Sequence, residues 1–155
     1  MARDETALRE VAEQSAAILA AAGMPKMPSR VLMVLTLAED PGLTAVELAE
    51  SLAVSAAAIS GAVRYLQTLG MVRRVAQAGS RRDRYAIPDN VWSSTVAHER
   101  PVYRALAAQA DAGLAAITDR DSAAAVRLRE MGDFYRFIER RLPELMVEWE
   151  QQRDG

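Results

Sequence analysis

The stretch from Thr44 to Ile87 restricts the possible folds of this chain more than any other. Thr44 and Glu47 form an S/T-x-x-E capping box, in which a hydroxyl and a carboxylate satisfy each other's backbone N–H groups, so a helix is expected to start there. Val46, Leu48, Ala49 and Leu52 give it an apolar stripe before a short turn at Ala53–Val54. Ser55 is a second N-cap, with Ile59, Val63 and Leu66 at helical spacing behind it and Gly70 placed to end the helix. Two short helices joined by a tight turn make a helix-turn-helix. Met71–Ala76 and Asp83–Ile87 are strand-like, and the segment between them holds Gly79, Ser80, Arg81 and Arg82. A helix-turn-helix followed by a hairpin with arginines at its tip is a winged helix. The expected class is therefore mainly α with a small β-hairpin wing.

The run RVLMVLTLAEDPGLTAVELAESLAVSAAAISGAVRYLQTLGMVRRVAQAGSRRDRYAI resembles MarR-type transcriptional regulators, and most closely their GbsR-like branch. The later REMGDFYRFIERRLPELMVEW is similar to the C-terminal helical region of that branch. With Gly23–Met24–Pro25 ahead of the winged domain, the resemblance spans nearly the whole chain. Its strongest parts are the Ser55-x-x-x-Ile59-Ser60 helix, the Gly70–Arg74 run leading into the wing, and Asp133–Phe134–Tyr135. It implies a homodimeric regulator bound to a double-stranded DNA operator. It also implies release by a small-molecule effector held between the winged and dimerisation regions. Met33, Trp92 and Tyr103 are the residues this sequence offers for such an effector site. The resemblance further gives Asp83 the role of a wing aspartate that orients a neighbouring arginine.

Net charge is only −2 over 155 residues, but its distribution matters more. Between Thr44 and Pro88, six arginines face three acids, a local balance of +3, while the segments on either side are each net acidic. Positive charge gathered on one module of an otherwise acidic protein is the footprint of a DNA-binding face. The chain has no cysteine, which excludes disulfides, thiolate zinc sites and thiol redox switches. The apolar patch 16–22 is preceded by Asp4, Glu5, Glu10 and Glu13, where a secretion signal needs bases. No run approaches a membrane span, so a cytoplasmic protein without membrane association is expected.

In the second helix of the pair, burial of Ile59, Val63 and Leu66 turns Ala57, Gly61, Arg64 and Thr68 outward, flanked by Ser60 and Tyr65. The N-terminal half of such a helix meets base edges in the major groove. Arg64 is the strong donor there, suited to a guanine edge or a phosphate. Ser55 and Ser60 can bond bases or phosphates, and Ala57 and Ala58 can touch thymine methyls. In the wing, Arg81 and Arg82 are placed to enter the minor groove, and Arg73, Arg74 and Arg84 extend the same basic surface. The bland alternative for the hairpin is a charged, solvated turn.

Three regions are expected: an N-terminal helix in 1–23, the winged domain in 24–88 and a helical region in 89–155. Leu8, Val11, Ser15, Ile18 and Ala22 give the first helix a stripe, which either lies on its own domain or, as the resemblance favours, packs on a second subunit. Ser29–Ala38 is apolar nearly all round and is expected to be the first core helix. After Pro88 a helix is expected over 90–117, kinked or broken near 97–100 by Pro101. The last helix, capped by Asp121 or Ser122, carries a heptad seam of Ala124, Leu128, Met131, Tyr135, Ile138, Leu142, Leu145 and Trp149, with a bend at Pro143. That seam can pack as an antiparallel hairpin within the subunit and also across a dimer axis. Leu8, Val11 and Ile18 with the seam from Leu128 onward are the expected dimer contacts.

His98, the single histidine, has no partner cluster, and no nucleophile set, phosphate-cradling loop or metal-ligand cluster occurs. No enzymatic activity and no cofactor are expected. A DNA-binding regulator is the leading reading. A winged-helix module that binds only protein is the alternative, which the near-neutral overall charge supports.

Overall fold

The computed structural model describes residues 3–98 and 100–155, apart from the side chains of 97–100. Two compact units are present, Met1–Val91 and Trp92–Gly155. The first contains α1 (Glu5–Ala21), α2 (Lys26–Leu37), β1 (Leu43–Thr44), α3 (Ala45–Leu52), α4 (Ala56–Thr68), β2 (Arg73–Val75) and β3 (Arg84–Ala86). This is the mainly helical winged fold expected from the sequence, with one strand more than the hairpin.

Local chemistry sets the helix-turn-helix. Both capping-box bonds form: Thr44 Oγ1 accepts from the Glu47 N–H at 3.2 Å, and Glu47 Oε2 accepts from the Thr44 N–H at 2.7 Å. Ala53 turns the chain with φ 53°, and the Val54 N–H returns to the Ala49 carbonyl at 3.0 Å. Ser55 then caps α4 by accepting from the Ala58 N–H at 3.2 Å. Leu48 and Leu52 of α3, with Ile59, Ala62, Val63 and Leu66 of α4, close over Val31, Leu32 and Leu35 of α2. Burying so many Leu, Ile and Val side chains stabilises this unit by roughly 1.5–3 kcal/mol each.

The α2 helix begins at Lys26, ahead of the expected Ser29, because Pro28 falls in the first turn, where no backbone N–H is needed. Ser29 is fully buried, and its hydroxyl donates to the Pro25 carbonyl at 2.9 Å.

Strand β1 was not expected. It pairs antiparallel with β3 through Leu43↔Tyr85 and Thr44↔Arg84, and β2 pairs on the other side of β3, giving the order β1-β3-β2. Gly42 makes this possible. It has φ 100°, and a Cβ there would lie 2.1 Å from the Tyr85 carbonyl oxygen.

α1 packs on α2, and Arg30 of α2 holds Glu13 of α1 with a bidentate contact at 2.9–3.2 Å. The buried face of α1 is Ala12 and Ala16, not the stripe expected from larger residues. Leu8 and Ser15 are half-buried, while Val11 and Ile18 are 48% and 71% exposed. Small residues allow close helix contact, so the larger ones are turned aside.

The second unit holds most of α5 (Val91–His98), with α6 (Arg100–Ala116) and α7 (Ala123–Asp154). The span 97–100, where a kink or break was expected, includes Glu99, which lies outside the described residues, as does the side chain of His98. α6 and α7 form an antiparallel hairpin: Gly113 lies against Leu128, Ala110 against Gly132, and Tyr103 stacks on Tyr135 at 5.7 Å. Ser122 caps α7, accepting from the Ala125 N–H at 3.3 Å. α7 runs unbroken through Pro143 for 32 residues. Leu128, Met131, Tyr135 and Ile138 are half-buried and Leu142 is buried, whereas Leu145 and Trp149 stay exposed.

Gly42→Ala should lower the unfolding free energy by roughly 2–5 kcal/mol, combining backbone strain and overpacking. Gly23 also has positive φ, but nothing lies within 4 Å of its added Cβ. Gly23→Ala should therefore cost clearly less, and urea unfolding of both variants compares them directly.

Candidate nucleic-acid interface

The outward face of α4 carries Ala57, Ser60, Gly61, Arg64 and Thr68, all exposed, with Ala58 half-buried at its edge. An added Cβ at Gly61 would meet nothing within 4 Å, so this face is open and shallow. The Ser55 hydroxyl oxygen accepts one bond as the helix cap and keeps its proton free to donate. The Thr68 hydroxyl donates to the Arg64 carbonyl at 2.9 Å and so is turned along the helix. Tyr65, left out of the expected contact set, is 37% exposed beside Arg64. Its position next to an outward residue was visible in the helical spacing.

In the hairpin, Arg73 and Arg74 of β2 are both exposed, and Arg81 and Arg82 are exposed at the tip. Gly79 turns the tip with φ 76°, and the Ser80 hydroxyl accepts from the Arg82 N–H at 3.1 Å. Asp83 Oδ2 lies 3.3 Å from Arg74 Nη1, which places a wing carboxylate beside an arginine of the neighbouring strand.

Arg84 departs from the expected set. Its Nη1 donates to the Gly42 carbonyl and to Glu47 Oε2, each at 2.9 Å, and its side chain is only 22% exposed. Strand alternation together with the unforeseen β1 turns this arginine inward. Among the described residues, the ion pairs of this module engage Arg74 and Arg84. Arg64, Arg73, Arg81 and Arg82 are thus left without a carboxylate partner.

The Glu47 carboxyl is held below its ordinary value of 4.5, first by the backbone N–H of Thr44 and further by its hydroxyl and by Arg84. Ionised at neutral pH, it neutralises Arg84 and leaves the outward arginines to set the field of the surface.

Comparison with known proteins agrees with this geometry. Residues 22–83 match the MarR family model, and residues 90–152 match the model described as MmpR5-like MarR family transcriptional regulator. The HTH-type transcriptional regulator MmpR5 of Mycobacterium tuberculosis (strain ATCC 25618 / H37Rv) is 30% identical over 151 residues, covering 96% of this chain and 90% of that protein. This chain belongs to the MarR family of transcriptional regulators. A solved structure described as a transcriptional regulator superposes with a TM-score of 0.81 at 27% identity, covering 93% of this chain and 98% of that one.

The segment that matches the MarR family model, residues 22–83, lies within the first unit. The effector residues named from sequence are spread over both units. Met33 is half-buried on α2, Trp92 is exposed on α5, and Tyr103 stacks on Tyr135 within the second unit. A cleft of about 300 Å³ lies instead inside the first unit, walled by Leu8, Ala12, Val34, Leu37, Leu43 and Leu52, with Arg3 and Arg9 among its polar lining. Arg3 bonds Glu39 and the Leu37 carbonyl. Among the described residues no group of three or more His, Asp or Glu could hold a metal ion, and no single helix is long and apolar enough to cross a membrane.

Because its folded pKa is lowered, Glu47 contributes stability that is fully present above 4.5 and lost as pH falls through the lowered value. Glu47→Gln should cost roughly 1 kcal/mol or less at pH 7, since the pair is partly solvated. That difference from wild type should shrink toward zero in unfolding measurements carried from pH 7 to below 4.

Proposed function

We propose that this MarR-family protein is a homodimeric repressor that reads a pseudo-palindromic operator. In this reading each protomer sets α4 in the major groove and its wing in the adjacent minor groove, with half-sites about one helical turn apart. The observation that carries it is the separation of charge. Glu47 and Asp83 are each paired with an arginine, while Arg64, Arg73, Arg81 and Arg82 stand outward on α4 and the wing. Arg84 is left out of the contact set because its guanidinium is engaged inside the module. Ser55, Ala57, Ala58, Ser60 and Gly61 form the remainder of the groove face. Their small side chains favour close approach and methyl contact over a dense hydrogen-bond code. Specificity then rests largely on shape, and Arg64 on a phosphate.

The dimer reading is supported by apolar side chains left uncovered. On α7 these are Phe134, Phe137, Leu145 and Trp149, each between 47% and 55% exposed, and on α1 they are Val11 and Ile18. Leu142 is already covered within the chain, so the seam residues beyond it and the adjacent aromatic face are the better candidates for contact with a second copy. Release by a small molecule is part of the same reading, as is the placement in the GbsR-like branch made from sequence. The matched model for the C-terminal region carries the MmpR5-like description.

Electrophoretic shift with the upstream region of the protein's own gene tests the function. Saturable binding of a dimer is expected, and a protein that binds no DNA at any salt concentration would instead fit a module that binds only protein. Arg81→Ala with Arg82→Ala should weaken binding to all sequences and reduce the salt slope by up to about one unit per lost phosphate contact. Arg64→Ala should weaken all sequences alike by roughly 1–3 kcal/mol if it holds a phosphate, and relax preference at one base pair per half-site if it reads guanine. Binding to a randomised half-site library separates the two. Phe134→Ser with Phe137→Ser, both at exposed positions, should leave the helical circular-dichroism signal intact and shift sedimentation from dimer to monomer.

A further inference from the structure

The wing is joined to the helix-turn-helix by little backbone. β1 and β3 share only two residue pairs, so just two rungs, Leu43–Tyr85–Arg74 and Thr44–Arg84–Val75, cross all three strands. On one face of β3, Tyr85, with Ile87 just beyond the strand, packs against the apolar core. The buried methyl group of Ala86, on the same face as Arg84, does little to stop a narrow hairpin rolling about the strand axis. On the opposite face Arg84 donates to the Gly42 carbonyl ahead of β1 and to the carboxylate of Glu47 in the first turn of α3, both at 2.9 Å. Its Nε is buried without a partner, so the side chain is inserted between these elements and does not lie along the surface.

We infer that Arg84 and Glu47 are a positioning pair that fixes the roll of the wing relative to α3 and α4, and so decides whether Arg81 and Arg82 reach the minor groove. This inference rests on the reading of the wing as a DNA contact. Glu47 suits the role because its carboxylate is already oriented by the Thr44 N–H, and one oxygen, Oε2, serves both partners. A clasp built on a preformed helix cap adds no new side chain to order on the Glu47 side.

Three variants test it: Glu47→Gln, Arg84→Met, and Arg84→Met added to Arg81→Ala/Arg82→Ala. Glutamine preserves the capping box but removes the charge that strengthens the Arg84 bond, and methionine preserves the apolar stem of arginine. Removing the negative charge of Glu47 should tighten DNA binding if only Coulomb attraction matters. The positioning role predicts the reverse. Glu47→Gln and Arg84→Met should each weaken operator binding about tenfold and lower the salt slope by up to two units, the share of Arg81 and Arg82. Hydroxyl-radical protection should disappear at the outer minor-groove segments and persist at the centre. In the Arg81→Ala/Arg82→Ala background, Arg84→Met should add nothing. Tighter binding by Glu47→Gln, or an Arg84→Met effect that persists in that background, overturns the inference and leaves the DNA reading standing. A wild-type protein that protects no DNA overturns both.

Discussion

The Glu47 carboxylate is the interaction on which the first unit depends. It closes the helix cap at Thr44, and through the same oxygen it holds Arg84 of the wing. Thr44 in turn is both the N-cap of α3 and a rung of the sheet. Helix start, strand pairing and wing are therefore joined at one point, where a charge-assisted hydrogen bond gains more than a neutral one. The close approach of Gly42 to the Tyr85 carbonyl keeps that junction tight, because no side chain separates β1 from β3.

The same economy shapes the surface. Two of the three acids in the basic module, Glu47 and Asp83, are paired with arginines inside it, so the outward positions of α4 and the wing keep unneutralised arginines in a protein whose overall charge is −2. Net charge was thus a poor guide and its distribution a good one. The MarR-family comparisons agree with the second. The alanines, serine and glycine of α4 bring backbone and surface close to whatever the helix meets, and they offer few donors. On the proposed reading, affinity comes from the arginines and sequence preference from shape and methyl contact.

The second unit uses small residues in a related way. Ala107, Ala110, Ala125 and Gly132 let α6 and α7 approach closely, and Arg136 to Asp111 and Arg104 to Glu139 tie the pair at its edges. Close packing on that side turns Phe134 and Phe137 toward solvent. The apolar stripe of α7 is accordingly wider than one hairpin can cover.

What the sequence by itself determined was whatever depends on neighbours within a few positions. The capping box, the Ser55 cap, a cap for α7 at Asp121 or Ser122, the apolar faces of α3 and α4 and the turn at Gly79 all follow from local hydrogen bonding and helical period. Those features were enough to define the winged helix and to place Arg64, Arg81 and Arg82 on its outside. What only the tertiary structure decided depends on residues far apart in the chain. β1 is too short to show a strand period and exists only because β3 lies beside it. Arg84 looked like its neighbours Arg81 and Arg82 until that pairing turned it toward Gly42 and Glu47. The face of α1 that packs was set by the close fit of Ala12 and Ala16 in their helix contact, against the hydrophobic ranking of Val11 and Ile18. A one-dimensional pattern ranks side chains by hydrophobicity. It carries no distances, and at these positions distance between elements decided which groups met.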